Sequence, residues 1–118
     1  MILPDINLLV YAYNRHAPHH VCGFVRLMTH PAVLVDPLDP GRTLLHVRSW
    51  VERPLVEVLE PGPRHLEIFE RLLESLGVAA NLTTDAHLAA IAIEHQCELH
   101  SNDADFTRFA GLRWRNPL

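Results

Sequence analysis

Apolar residues recur at helical spacing along much of this chain, and the stretches between them are short apolar runs or turn-forming clusters. Met1–Pro4 is a short apolar start, read as a strand with Pro4 at its end, because proline has no N–H to give to a ladder. Asp5 follows, and Ile6, Leu9, Val10 and Tyr13 then share one helical face. The acid therefore sits where strand becomes helix. HAPHH reads as a loop, and Phe24, Leu27 and Met28 as one face of a second helix that Pro31 ends. Asp39 before Pro40 is an N-cap with proline at the first helical position, opening a helix whose apolar side is Leu44, Leu45, Val47, Trp50 and Val51. Arg53-Pro54 stops it. LVEVL (55–59) alternates Val56 and Val58 around Glu57 and reads as a short strand. Leu66, Phe69, Leu72, Leu73 and Leu76 mark the next helix, with Gly77 as its stop. A last helix spans Thr84 to His95, and CELHS (97–101) follows as a strand.

Strands alternating with helices predict an α/β fold around a mainly parallel sheet. Ligands of such sheets bind beyond the carboxyl ends of the strands. Asp5 and Asp103 each follow a strand and are expected at that end, and Asp85 lies in the first turn of its helix, where the helix dipole favours a carboxylate.

Composition narrows the chemistry. The 118 residues suffice for one ordinary domain over 1–118, and no apolar run reaches the length of a membrane span, so a single domain in the cytoplasm is expected. The start, MILPDIN, lacks the basic region of a signal peptide. All ten basic residues are arginine, which excludes P-loop and Schiff-base mechanisms that require lysine. A net charge of −4 argues against nucleic-acid binding by bulk positive charge, so any such contact is local or carried by metal ions. Cys22 and Cys97 have no CxxC spacing and are expected as reduced thiols.

The acids allow more than one reading. Asp103 and Asp105 fit an ordinary acidic turn, and Asp85 fits a helix-capping acid. Carboxylates gathered on one sheet edge repel, by about 4 kcal/mol for a pair about 4 Å apart at an effective dielectric of about 20, and a hard cation such as Mg²⁺ or Mn²⁺ relieves that repulsion. A cation so held lowers the pKa of bound water and steadies charge on a phosphodiester. Asn7 suits orienting a carboxylate or a water, and it disfavours the haloacid-dehalogenase phosphatases, which need an acid at that place. His16, His19 and His20 have spacing open to a transition metal but read better as a polar loop. Arg108, Arg113 and Arg115 follow the acids and suit either phosphate steering or plain surface charge.

The stretches LPDINLLVYA, GFVRLMTHP, LEPGPRH, NLTTDAHLAAIAIEH, SNDADFTRF and GLRWRNPL, in this order, resemble the PIN-domain ribonucleases, and within them the VapC-type toxins of bacterial toxin–antitoxin pairs. The resemblance implies a three-layer α/β/α sandwich and Mg²⁺- or Mn²⁺-dependent endonucleolytic cleavage of RNA, transfer or ribosomal. It also implies a cognate VapB-like antitoxin that blocks the site, and a homodimer. By position, it makes Asp5, Asp85 and Asp103 the catalytic metal ligands, Asp105 an auxiliary acid at the metal, and Asn7 and Ser101 polar supports. Two departures stand out. Gly23 occupies the place where many relatives carry a glutamate, so a second metal would be held weakly. Relatives also usually carry about 25 further residues after HAPHH, the length of a helix, a strand and their links. Here His20 is followed at once by Val21: either a deletion removes that helix and strand from the fold, or the segment belongs to the protein and is left out of this sequence. A degenerate PIN domain that binds RNA or an antitoxin without cutting is the alternative.

Overall fold

The computed structural model of the chain describes residues 1–5, 28–32, 34–57, 59–77 and 80–118. The elements are β1 (Ile2–Pro4), α1 (Pro40–Val51), α2 (His65–Leu76), α3 (Thr83–Glu94), β2 (Glu98–His100) and β3 (Arg113–Arg115), with 3-10 turns at Ala80–Leu82 and Ala104–Arg108. Two compact units contain them, one of Met1–Leu3 with Leu59–Leu118 and the other of Pro4–Val58. The expected helix from Ile6, the HAPHH loop, the helix before Met28, Asn7, Cys22, Gly23 and the His20–Val21 joint lie outside the described residues.

In the first unit the sheet runs β1-β2-β3. β2 and β3 pair in parallel, with Glu98 opposite Arg113, Leu99 opposite Trp114 and His100 opposite Arg115. The Glu98 N–H donates to the Met1 carbonyl at 2.9 Å, and the Ser101 N–H to the Arg115 carbonyl at 3.1 Å. Parallel neighbours need a crossover, and residues 101–112 supply it, carrying the Ala104–Arg108 turn. The α/β class and the parallel pairing are as the sequence predicts.

α3 is the centre of this unit. Ala86, Leu88, Ala89, Ala90, Ile91 and Ala92 are all buried, so the helix is covered on nearly every side along its unbroken apolar run, residues 88–93, while its first turn stays partly exposed. Four alanines keep its surface low enough for α2 to pack along it. α2 is amphipathic instead: Ile68 and Leu72 are buried while Leu66 is 72% exposed. Leu3, Cys97, Leu99, Phe106 and Phe109 complete the core. α2 ends at Gly77, whose φ of 70° is the left-handed conformation that glycine adopts without cost.

α3 ends differently. Gln96 takes φ 57°, its N–H bonds the Ile93 carbonyl at 3.1 Å, and the Cys97 N–H bonds the Ala92 carbonyl at 2.8 Å. This is a Schellman stop built on a non-glycine residue. The reversal turns β2 back along α3, so the helix amino end and the strand carboxyl end lie on one side of the unit.

In the second unit, Asp39 caps α1 as its sequence predicts: its carboxylate accepts the Arg42 N–H at 3.0 Å, and Pro40 begins the helix. Thr43, Val47 and Trp50 are buried, with Val47 and Trp50 packed around buried Met28. Met28 is helical and turns follow at Thr29, Pro31 and Ala32, in line with a helix ending before Pro31.

One expectation fails, and one strand goes unforeseen. LVEVL forms no strand at its described positions: Leu55 lies in a turn and is 99% exposed, and the Val56 N–H is used by the Arg53 carbonyl. The helix stop at Arg53-Pro54 consumes the donors a strand would need. β3, conversely, was read only as a run of arginines; its pairing with β2 is nonlocal, and three residues are too few to show an alternation.

Candidate active site

Asp85 is in the first turn of α3, half-buried, directly after the Ala80–Leu82 turn. No side chain caps the amino end of this helix, since Leu82 occupies the cap position. A carboxylate in the first turn is favoured by the exposed helix N–H groups. Asp85 engages in a polar interaction there, as does Thr83.

Asp103 lies beyond the carboxyl end of β2. Its backbone N–H donates to Ser101 Oγ at 3.0 Å, and its Oδ1 accepts the Asp105 N–H at 2.9 Å. Ser101 is fully buried, anchored by its own N–H to β3. Asp103 therefore caps the turn Ala104–Arg108 while its carboxylate is held in one orientation. The turn reading and the site reading of SNDADF are compatible: the same bonds that make the turn aim the acid. Asp105 is half-exposed and lies 3.5 Å from Arg108 Nε. Such an exposed pair is worth about 0–1 kcal/mol, which leaves both groups available to other partners.

Asp5, in the other unit, directly follows β1 and is only 5% exposed, with a polar interaction of its own. A buried carboxylate is costly unless compensated, so its presence in so apolar a segment points to a charge or donor that it serves. Among the described residues no three His, Cys, Asp or Glu side chains gather into a metal-binding group. Asp85 and Asp103 belong to one unit; Asn7, proposed from sequence as a support, lies outside the described residues.

Two of the arginines after the acids make contacts within the fold. Arg108 faces Asp105, and the Arg113 guanidinium donates to the Gln96 carbonyl, where it steadies the end of α3. Glu98 accepts from, or shares a proton with, His100 Nε2 at 2.7 Å, and that hydrogen bond holds its carboxyl below the usual range, helped by Arg115 and Arg113.

Sequence reasoning did not find a second polar cluster, between α2 and α3. His65 Nε2 and His87 Nδ1 are 2.9 Å apart, and both rings lie against Phe69. Burial, and then the neighbouring His65, lower the His87 pKa. The two histidines are 22 positions apart, so nothing local announces the pair. A helix-face comparison of α2 with α3 is the signal that would have found it.

Comparison with known proteins bears on the whole chain. Residues 9–112 match the PIN domain family. The chain is 42% identical to Ribonuclease VapC33 of Mycobacterium tuberculosis (strain ATCC 25618 / H37Rv), over 100% of this chain and 99% of that protein. It is 34% identical to Ribonuclease VapC37 of the same strain, over 99% and 97%, and 31% identical to Ribonuclease VapC43, over 100% and 96%. The chain belongs to the PIN-domain family, within its VapC-type ribonuclease branch.

The alignment with Ribonuclease VapC33 extends over 141 positions while this chain has 118 residues, a difference of 23 positions filled only in the relative. A gap of this size agrees with the segment expected to be missing after His20. Among the described residues, no helix is long and apolar enough to cross a membrane.

Proposed function

We propose that the chain is an endoribonuclease toxin that hydrolyses RNA phosphodiester bonds with Mg²⁺ or Mn²⁺ held by Asp5, Asp85 and Asp103. The observation that supports this reading is the Asp103 carboxylate held beyond β2 by the Asp105 N–H, with Asp85 in the first turn of α3, in a chain 42% identical to a named ribonuclease. The donor set suits the group: all three ligands offer carboxylate oxygens, which hard divalent cations prefer. When bound, the cation supplies an acidified water and neutralises charge on the phosphodiester.

The chain's own residues do the rest. Ser101 Oγ holds the Asp103 amide and the Asp105 N–H its carboxylate, Asp105 serves as an auxiliary acid, and Asn7 as a polar support. A single PIN-like domain over 1–118, working in the cytoplasm as a homodimer on transfer or ribosomal RNA and held in check by a VapB-like antitoxin, completes the reading. The absence of 23 aligned positions favours one alternative, a degenerate module that binds RNA or an antitoxin without cutting it.

Asp103→Asn separates the two. Asparagine caps as well as aspartate, so the turn and the fold persist while the charge for the cation is lost. Cleavage of structured RNA should fall by at least about a hundredfold, or about 2.7 kcal/mol, with unchanged circular dichroism. Wild-type rates in this variant would remove Asp103 from the site; RNA binding without products in the unaltered chain would establish the binding module.

A further inference from the structure

The His65–His87 pair is the strongest polar constellation outside the proposed active site. His65 opens α2 and His87 sits one turn into α3, so the two imidazoles span the helix–helix seam at the heart of the first unit. Their ring nitrogens face each other at 2.9 Å with centroids 4.7 Å apart and planes crossed at 78°. Phe69 stacks on His65 at 5.8 Å and meets His87 edge-on at 6.3 Å, which walls the pair on one side. His87 is exposed, so the other side is open to solvent.

From this geometry we infer that His65 Nε2 and His87 Nδ1 form a two-imidazole site for a borderline transition-metal ion such as Zn²⁺, Ni²⁺ or Cu²⁺, clipping α2 to α3. Zinc–imidazole bonds are about 2.0–2.1 Å, so two nitrogens on one tetrahedral ion stand about 3.3 Å apart, and the rings must part by about 0.4 Å and turn their lone pairs from each other towards the ion. Imidazole suits these ions, whereas Mg²⁺ and Mn²⁺ prefer oxygen, so the clip and the carboxylate site select different metals. Water fills the remaining positions, consistent with no third His, Cys, Asp or Glu ligand gathering there among the described residues.

The local hydrogen bonding limits its strength. His65 Nδ1 is buried without a partner, which favours placing the His65 proton on Nε2, where it donates to His87. Loading an ion moves that proton to Nδ1, where no acceptor awaits it. The site is thus of modest affinity, a responsive clip rather than a permanent structural metal.

The test is thermal unfolding of the full chain, in excess Mg²⁺, titrated with Zn²⁺ or Ni²⁺, alongside Co²⁺ absorption in the visible as a direct report of nitrogen ligation. The midpoint should climb with metal concentration, as expected for a ligand that binds only the folded state. His87→Gln and His65→Gln should each weaken the apparent affinity by about tenfold or more. A double His19→Gln, His20→Gln variant should behave as the unaltered chain. No shift in the unaltered chain, a shift preserved in His87→Gln, or a loss confined to the His19/His20 variant would each overturn the inference. Failure here leaves the nuclease reading untouched, because neither histidine belongs to it.

Discussion

Asp103 shows how one residue carries two duties through the same bonds. Its amide is held by buried Ser101 and its carboxylate by the Asp105 N–H, so the acid is fixed before any ligand arrives. Ser101→Ala strands that amide and should cost about 1 kcal/mol of stability by denaturant unfolding, with a matching fall in cleavage as Asp103 loses its orientation. Stability lost with activity intact would make Ser101 structural only. Glu98 offers a test by titration. Its carboxyl is lowered chiefly by the hydrogen bond from His100, so the stability this contact contributes is present above the ordinary carboxylate range and lost as pH falls through the lowered value. Carboxyl NMR should show Glu98 titrating below the usual glutamate value, and returning towards it in His100→Ala. At this scale the sequence placed Asp85 and Asp103 from strand and helix ends alone, and marked Asp5 as an acid in an apolar setting. It did not show the His65–His87 contact, which depends on how two helices face each other.

Among elements, α1, α2, α3 and β2 were legible because each carries local punctuation. Asp39-Pro40 opens α1, Gly77 closes α2, and the apolar periodicity of α3 leads into CELHS. LVEVL carried a strand's alternation but not its hydrogen bonds, which the turn after α1 had already taken. β3 had too little length to announce itself and exists through its partner, β2. The stop of α3 is a place where the chain is not optimised. Gln96 at φ 57° bears a side chain in a conformation that costs about 1 kcal/mol, so Gln96→Gly should raise stability by about 0.5–1 kcal/mol. A drop instead would mean that the Gln96 side chain itself does the holding. The same end of the helix also secures a loop: Glu94 accepts the Gly62 N–H, His95 bonds the Glu60 carbonyl at 2.8 Å, and a Cβ at Gly62 would strike the Glu94 carboxylate. Gly62→Ala should therefore release the loop before α2 and lower the thermal midpoint.

For the whole molecule, the 23 positions that Ribonuclease VapC33 has and this chain lacks set it apart from that relative. The parallel sheet, the buried α3 and the acid-bearing strand end persist regardless, because their core is Leu3 with residues from 68 onward. Leu72→Ala, in that core, should cost about 2–5 kcal/mol in denaturant unfolding. What the missing segment decides is whether a site built on such a frame still cuts. The decisive measurement is cleavage of structured RNA by the purified chain with Mn²⁺ or Mg²⁺, repeated after EDTA. Defined fragments that appear with metal and vanish with EDTA are the predicted result; intact RNA under both conditions, with the protein demonstrably folded, would contradict it.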